Sequence, residues 1–172
     1  TDADYAALER AEKALKENWN RWEAMDLIPT ERIPTGHKTA EPLRVGIDRW
    51  CDMFTPRQLL GHLTAMETLH NMIPGIMEEH GREKGTAILT YLQFMIDKGV
   101  DYNRQTRWEY TRGIVKGTFG RHDFSLKWTF GEMIFTGPYS GLEWGKSQVI
   151  DAYSGICRLI DSCHNDSVTV LN

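Results

Sequence analysis

Residues 4–26, DYAALERAEKALKENWNRWEAMD, set Leu8, Ala11, Leu15, Trp19, Trp22 and Met25 three or four positions apart among charged residues. That period predicts an amphipathic helix. It stops before LIPTERIPTGHKTAEPL, where Pro29, Pro34 and Pro42 exclude a continuous helix and predict an extended connector over 28–54. The helical period resumes after Thr55-Pro56, a good N-cap followed by a proline whose missing N–H would be unpaired in any case. Leu59, Leu60, Leu63, Met66 and Leu69 carry it to about Asn71. Pro74-Gly75 predicts a kink or break there, after which Ile76 and Met77 continue the stripe to Gly81. A third helix is expected over roughly 83–103, with Ile88, Tyr91, Leu92, Met95, Gly99 and Tyr102 on one face. A fourth is expected over roughly 142–163, with Val149, Ile150, Tyr153, Ile156, Cys157, Ile160 and Cys163 inward. Between them, 104–141 is irregular and rich in glycine, with room for short helical or extended pieces. The final SVTVLN reads as a strand.

The expected fold is therefore mainly α: a helical domain of about four main helices with an irregular basic segment and a short C-terminal strand. Its parts are an N-terminal helix (1–27), a proline-containing connector (28–54), a helical core (55–165) that includes a basic segment (104–132), and the strand 166–172. A chain of 172 residues can bury a substantial core as one domain. Three cysteines, an odd number without paired spacing, argue against a disulfide framework and for a reducing cytoplasm. No apolar run approaches the length of a membrane span, so no membrane partner is expected. The first residue is Thr1, not methionine, which reads as a piece of a longer chain or a processed product.

The net charge of −4 gives no global reason to expect nucleic acid, but charge is unevenly distributed. The segment RQTRWEYTRGIVKGTFGRHDFSLKW, 104–128, sets Arg104, Arg107, Arg112, Lys116, Arg121 and Lys127 against Glu109 and Asp123, a local +4 that leaves −8 for the remainder. Trp108, Tyr110, Phe119, Phe124 and Trp128 interleave with the cations. Cations hold phosphates and aromatic faces stack on unpaired bases, so this is the natural nucleic-acid candidate. The plainer reading makes the aromatics core and pairs the cations with acidic helices.

Other chemistry is sparse. SGLEWGKS, 140–147, looks like a phosphate loop, yet its first glycine is one residue too close to Gly145-Lys146-Ser147 and no apolar strand leads into it. A helix start is the simpler account. The six histidines are scattered and Cys163-His164 lacks a second ligand pair, so no metal site is expected. No Gly-x-Ser-x-Gly elbow and no cysteine in a catalytic setting occurs. A carboxylate pair such as Glu109 and Glu132 would require the fold to bring them together. Arg57 and Gln58 open the second helix. The expectation is that Gln58 helps pin the Trp50–Phe54 lead-in against the core, and that Arg57 either salt-bridges Asp52 or projects towards phosphates.

Four stretches together, ERIPTG, RWCDMFTPRQLL, TFGRHDFSLKWTFGEM and GLEWGKSQVIDAY, resemble a large family of adenine-specific DNA methyltransferases that carry a zinc ribbon. In that family a Trp-x-Asp-Leu-Phe-x-Pro-Arg-Gln-Leu-Leu run follows a proline-containing connector, as here with Met53 in the leucine place. A later pattern of Phe, Arg, Trp and Glu is met by Phe119, Arg121, Trp128 and Glu132. The likeness covers about residues 28–165. It implies an S-adenosylmethionine loop upstream and an Asp-Pro-Pro-Tyr catalytic motif downstream, neither of them in this chain; TGPYSG, 136–141, shares only Pro-Tyr. SVTVLN would then return to a methyltransferase sheet outside the chain. The resemblance thus implies a non-catalytic helical fragment with no cofactor of its own and no catalytic residue. Its partners would be DNA and the catalytic remainder of the parent enzyme.

In one class of amino-methyltransferases an insert at this place holds DNA while the adenine is flipped. The candidate nucleic-acid contacts are Arg104, Arg107, Trp108, Arg112, Lys116, Arg121, Lys127 and Arg57. The rival expectation is a structural or protein-interaction module that docks the methyltransferase core without touching DNA. A self-contained small enzyme would need a cluster of convergent titratable groups, and the sequence offers none.

Overall fold

The amphipathic stripe at the N-terminus forms helix α1, Asp2–Ala24, with Thr1 and Asp4 in a reciprocal capping box. Ala11, Leu15 and Trp22 are buried along it. The structure is a computed structural model that describes residues 1–105, 108–115, 117 and 130–162. Among these the fold is mainly helical. After α1 come a short helix α2, Ala40–Arg44, a 3-10 turn, Trp50–Met53, and the long helical element α3, Pro56–Tyr102. A two-stranded hairpin follows (β1, Trp108–Glu109; β2, Ile114–Val115), then helix α4, Gly141–Ser162. The expected strand at 166–172 lies outside the described residues.

The proline-rich connector, expected to be extended, is so only in part, since α2 and the 3-10 turn lie within it, and it is firmly tied. The Ile33 N–H donates to Asp48 O, Trp50 N–H to Glu31 O and Cys51 N–H to Pro29 O, so the segment folds back on itself between its prolines. Arg32 and Arg49 form an antiparallel bridge, and Arg49 Nη1 donates to Thr30 O at 2.9 Å. Ile28, Ile33, Cys51 and Met53 are buried by this closure. The main core joins Leu15, Trp22, Ile28, Cys51, Leu59 and Leu63, with Trp19, Met25, Phe54 and Leu60 around it. Each such side chain contributes roughly 1.5–3 kcal/mol on burial. Arg21 adds a two-pronged ion pair across the α1–α3 seam, with Nη1 2.7 Å from Glu67 Oε1 and Nη2 donating to Oε2 at 3.1 Å.

The kink or break expected at Pro74-Gly75 does not occur, and the chain turns at Gly81, where the sequence ends the second stripe. Helical backbone persists through Pro74 and fails only at Gly81, with φ 72° and ψ 172°. Proline costs a helix one hydrogen bond but has a helical φ, whereas a chain reversal needs backbone torsions that a Cβ forbids. The two arms of α3 consequently run antiparallel. A Cβ on Gly85 would lie 3.0 Å from Met77 Sδ, Gln93 Nε2 reaches Met66 Sδ at 3.7 Å, and His62 Nε2 meets Asn103 O at 2.9 Å.

Helix α4 packs on the second arm of α3. Tyr153 meets Tyr91 edge-on at 5.2 Å, Trp144 meets Tyr102 at 5.0 Å, and the Lys98 ammonium sits over the Tyr102 and Trp144 rings. Gly145 allows this approach, since a Cβ there would stand 2.9 Å from Met95 O. The stripe expected to be inward on α4 is only partly so, and its last member, Cys163, lies outside the described residues. Val149 and Cys157 are half-buried, while Ile150, Tyr153, Ile156 and Ile160 are half-exposed or more.

The reversal gives a paired prediction. A Cβ at either Gly81 or Gly75 would meet no atom within 4 Å, so steric crowding drops out of the comparison. Gly81→Ala should lose about 1–3 kcal/mol to backbone strain. Gly75→Ala, inside regular helix, should gain about 0.5–1 kcal/mol. Urea unfolding midpoints of the two variants should therefore move in opposite directions.

Candidate functional site

Arg57 and Gln58 occupy the first turn of α3, where Thr55 caps the helix. The Thr55 hydroxyl accepts the Gln58 N–H at 3.2 Å and Gln58 Oε1 accepts the Thr55 N–H at 2.9 Å. Gln58 is thereby fixed and buried, and its Nε2 reaches Asn103 Oδ1 at 3.5 Å. This is the pinning role expected for Gln58, with Phe54 held against the core cluster and 5.2 Å edge-on from His62. Arg57 does not pair with Asp52. It grips Glu132 in two-pronged fashion, with Nε to Oε1 at 3.0 Å and Nη2 to Oε2 at 2.6 Å. Asp52 instead accepts the Arg49 N–H at 2.9 Å. Glu132 raises the Arg57 pKa by hydrogen bonding and charge, and Asp4 adds a weaker pull. The first turn of α3 is thus joined to the far end of the basic segment.

Three further contacts hold segment 130–135 on the α3 hairpin. Asn103 Oδ1 accepts the Met133 N–H at 3.1 Å. The Phe135 ring lies where both arms carry glycine, since a Cβ on Gly61 or Gly99 would come within 3.0 or 3.2 Å of it. His62 packs edge-on against the same ring at 4.9 Å. Leu142 N–H donates to Phe135 O at 3.0 Å, and Gly141, at φ 55°, leaves space that a Cβ would take from the Phe135 carbonyl. The phosphate-loop look-alike is therefore a helix start packed on a loop, and Lys146 pairs with Glu143 at 2.7 Å. Asn103, His62, Met133 and Phe135 were not singled out from the sequence. Gly61 and Gly99 were the available signal, because a glycine inside a helical pattern usually has a packing reason.

His62 is enclosed. Its Nε2–H faces the Asn103 carbonyl, its Nδ1 has no hydrogen-bond partner among the described residues, and two aromatic rings flank it. Burial pushes its pKa below the ordinary value, and the bond to Asn103 only partly opposes this. The ring is a neutral structural donor.

The candidate nucleic-acid residues fall into different settings. Arg104 is 2% exposed, and burial pulls its pKa down to about 10 against the attraction of Asp101 and Glu41. It is built into the interior, where it cannot present its charge to a phosphate. Arg57 keeps solvent exposure but is engaged by Glu132. Trp108 lies in β1, its backbone paired with Val115. Arg112 stands exposed in the turn between β1 and β2, beside Tyr110, which is 88% exposed, with Gly113 at φ 63°. Arg107, Lys116, Arg121 and Lys127 lie outside the described residues.

A second surface was not anticipated. Along α4, Ile150, Tyr153, Ile156, Leu159 and Ile160 are 49–66% exposed, and Phe94 of α3 is 52% exposed. Beside them an open groove of about 420 Å³ runs between α3 and α4, lined by Ala87, Ile88, Tyr91, Leu92, Met95, Val149, Ile150 and Tyr153 together with Lys84 and Lys146. Contiguous exposed apolar surface of this kind marks interaction sites. Among the described residues no three His, Cys, Asp or Glu side chains are placed to hold a metal ion, and no helix is long and apolar enough to cross a membrane.

No protein-family model, curated protein or solved structure matches this chain. What the described residues define is a mainly helical domain, an αα-hairpin flanked by α1 and α4, with a tethered loop and an uncovered apolar face.

Three outcomes test the anchor. Asn103→Ala should cost about 2 kcal/mol or more, because it leaves the buried Gln58 amide and the Met133 N–H without their acceptor. A double-mutant cycle should show a coupling of about 0.5–1 kcal/mol between Arg57 and Glu132, a half-exposed pair, and none between Arg57 and Asp52. For His62, the unfolded chain binds a proton near pH 6.5 while the native ring resists one. Stability should therefore fall as the pH drops below that value. Thermal melts of wild type and His62→Phe should diverge at neutral pH and converge as the pH is lowered.

Proposed function

We propose that this domain is a non-catalytic helical module of an adenine-specific DNA methyltransferase, and that it docks the catalytic remainder of that enzyme through the apolar face of α4. The assignment to a methyltransferase rests on the resemblance of residues 28–165. The docking role rests on one observation: the apolar stripe of α4 extends beyond its cover on α3 and leaves Ile156, Leu159 and Ile160 in solvent. Exposed side chains of that size are costly to keep unless something covers them. Methyl transfer from S-adenosylmethionine would belong to the parent enzyme.

Direct DNA contact is the second reading, and the hairpin tip carries it. Tyr110 and Arg112 are exposed at the turn between β1 and β2, an aromatic face and a cation two positions apart.

The test is complementation. The catalytic remainder, expressed without this segment, is mixed with the separate domain, and methyl transfer to adenine in duplex DNA is followed. Association and activity should return together, and Ile156→Asp with Ile160→Asp should weaken association at least about tenfold, with the melting temperature little changed, since both sites are already half-exposed. Failure to associate would remove the docking role. Salt-sensitive DNA binding by the isolated domain, lost in Tyr110→Ala with Arg112→Ala, would favour the second reading.

A further inference from the structure

The groove between α3 and α4 has a chemistry narrow enough to specify its occupant. Its floor and walls are aliphatic and aromatic, and the two charged residues that line it, Lys84 and Lys146, are both cationic. They stand at opposite ends. Lys84 opens the second arm of α3, about two turns before the Tyr91–Tyr153 contact, while Lys146 lies two residues after Trp144, which meets Tyr102 at the other end. Between Lys84 and Met95 the α3 wall spans about 16 Å, roughly three helical turns. Both walls are regular helix, whose interior N–H and C=O groups are already paired. A strand laid in this groove would leave its own backbone groups facing apolar side chains, whereas a helix brings its hydrogen bonds with it.

We infer that the groove between α3 and α4 receives an amphipathic helix of about three turns, with an apolar stripe facing Leu92, Met95 and Val149 and an acidic residue near each end to meet Lys84 and Lys146. This deepens the docking role proposed above and rests on it: the helix belongs to the catalytic remainder. Lys146 now pairs with Glu143, at 2.7 Å, with both side chains about half-exposed. Such a pair contributes little, so an incoming carboxylate can replace it. A second copy of the chain suits the groove poorly, because a two-fold arrangement sets lysines against lysines. Duplex DNA suits it no better, since phosphates would meet an apolar floor.

The test uses two fluorescein-labelled peptides of about 18 residues, each with leucines at i, i+3, i+4 and i+7, one with glutamates in its first and last turns and the other with lysines there. Anisotropy titration should show the glutamate peptide binding at least about tenfold more tightly. Lys84→Glu with Lys146→Glu, both at exposed positions, should invert that preference. Ile150→Asp should abolish binding of both peptides with the helical circular dichroism kept. Equal affinities, no inversion by the charge swap, or binding indifferent to Ile150→Asp would overturn the inference. So would a dimer in sedimentation that dissociates on the Ile150→Asp change, or duplex DNA that binds and is lost on the charge swap. If the peptides fail while Ile156→Asp and Ile160→Asp still disrupt assembly with the catalytic remainder, the docking role stands and the helix is overturned. If the peptides behave as expected and the remainder does not assemble, the groove keeps its helix and the proposed function falls.

Discussion

Reversal of α3 at Gly81 brings together residues that are 41 and 45 positions apart, His62 and Gln58 on one arm and Asn103 at the end of the other. Most of the remaining architecture depends on that meeting. One face of the first arm is closed by α1 through Leu15, Trp22, Leu59 and Leu63, and the second arm carries α4. The open ends of the hairpin accept segment 130–135, with Asn103 as the shared acceptor and Phe135 seated against two glycines. A reversal this sharp needs a residue without a Cβ, and the close pairing of arms and loop needs glycine again at positions 61, 85 and 99.

The same arrangement separates two kinds of charge. Arg57 and Arg104 could both be read from the sequence as phosphate ligands, but both serve the fold: one holds the loop through Glu132, and the other is enclosed near Asp101 and Glu41. Arg112 at the hairpin tip faces solvent. On the opposite count, the residues expected to be core on α4 form an open apolar face and a groove. Among the described residues, α4 thus exposes apolar side chains that its stripe assigned to the core.

Much of the local structure was legible in the sequence. The stripe of α1, the cap at Thr55-Pro56 and the register of α4 to within a residue follow from helical period and capping chemistry, which act within a few positions. Pro74 misled because proline removes a hydrogen bond without forbidding the helix, while the end of the stripe at Gly81 was legible and only the torsion that reverses the chain there was not. The Arg57–Asp52 pairing failed for a related reason. Nearness in sequence favours it, yet Glu132 arrives from 75 residues away with a geometry Asp52 lacks.

What the sequence determined by itself is the main helices, their polar and apolar faces, and a charge distribution concentrated in one segment. Tertiary structure alone decided which apolar residues are core, since Val149 and Ile160 share a stripe and differ only in what α3 lays beside them. It also decided, among the described cations, that Arg104 is enclosed and Arg57 engaged by Glu132. Periodicity reports a face. Burial and pairing depend on what the rest of the chain brings to that face, and a one-dimensional pattern does not carry that information.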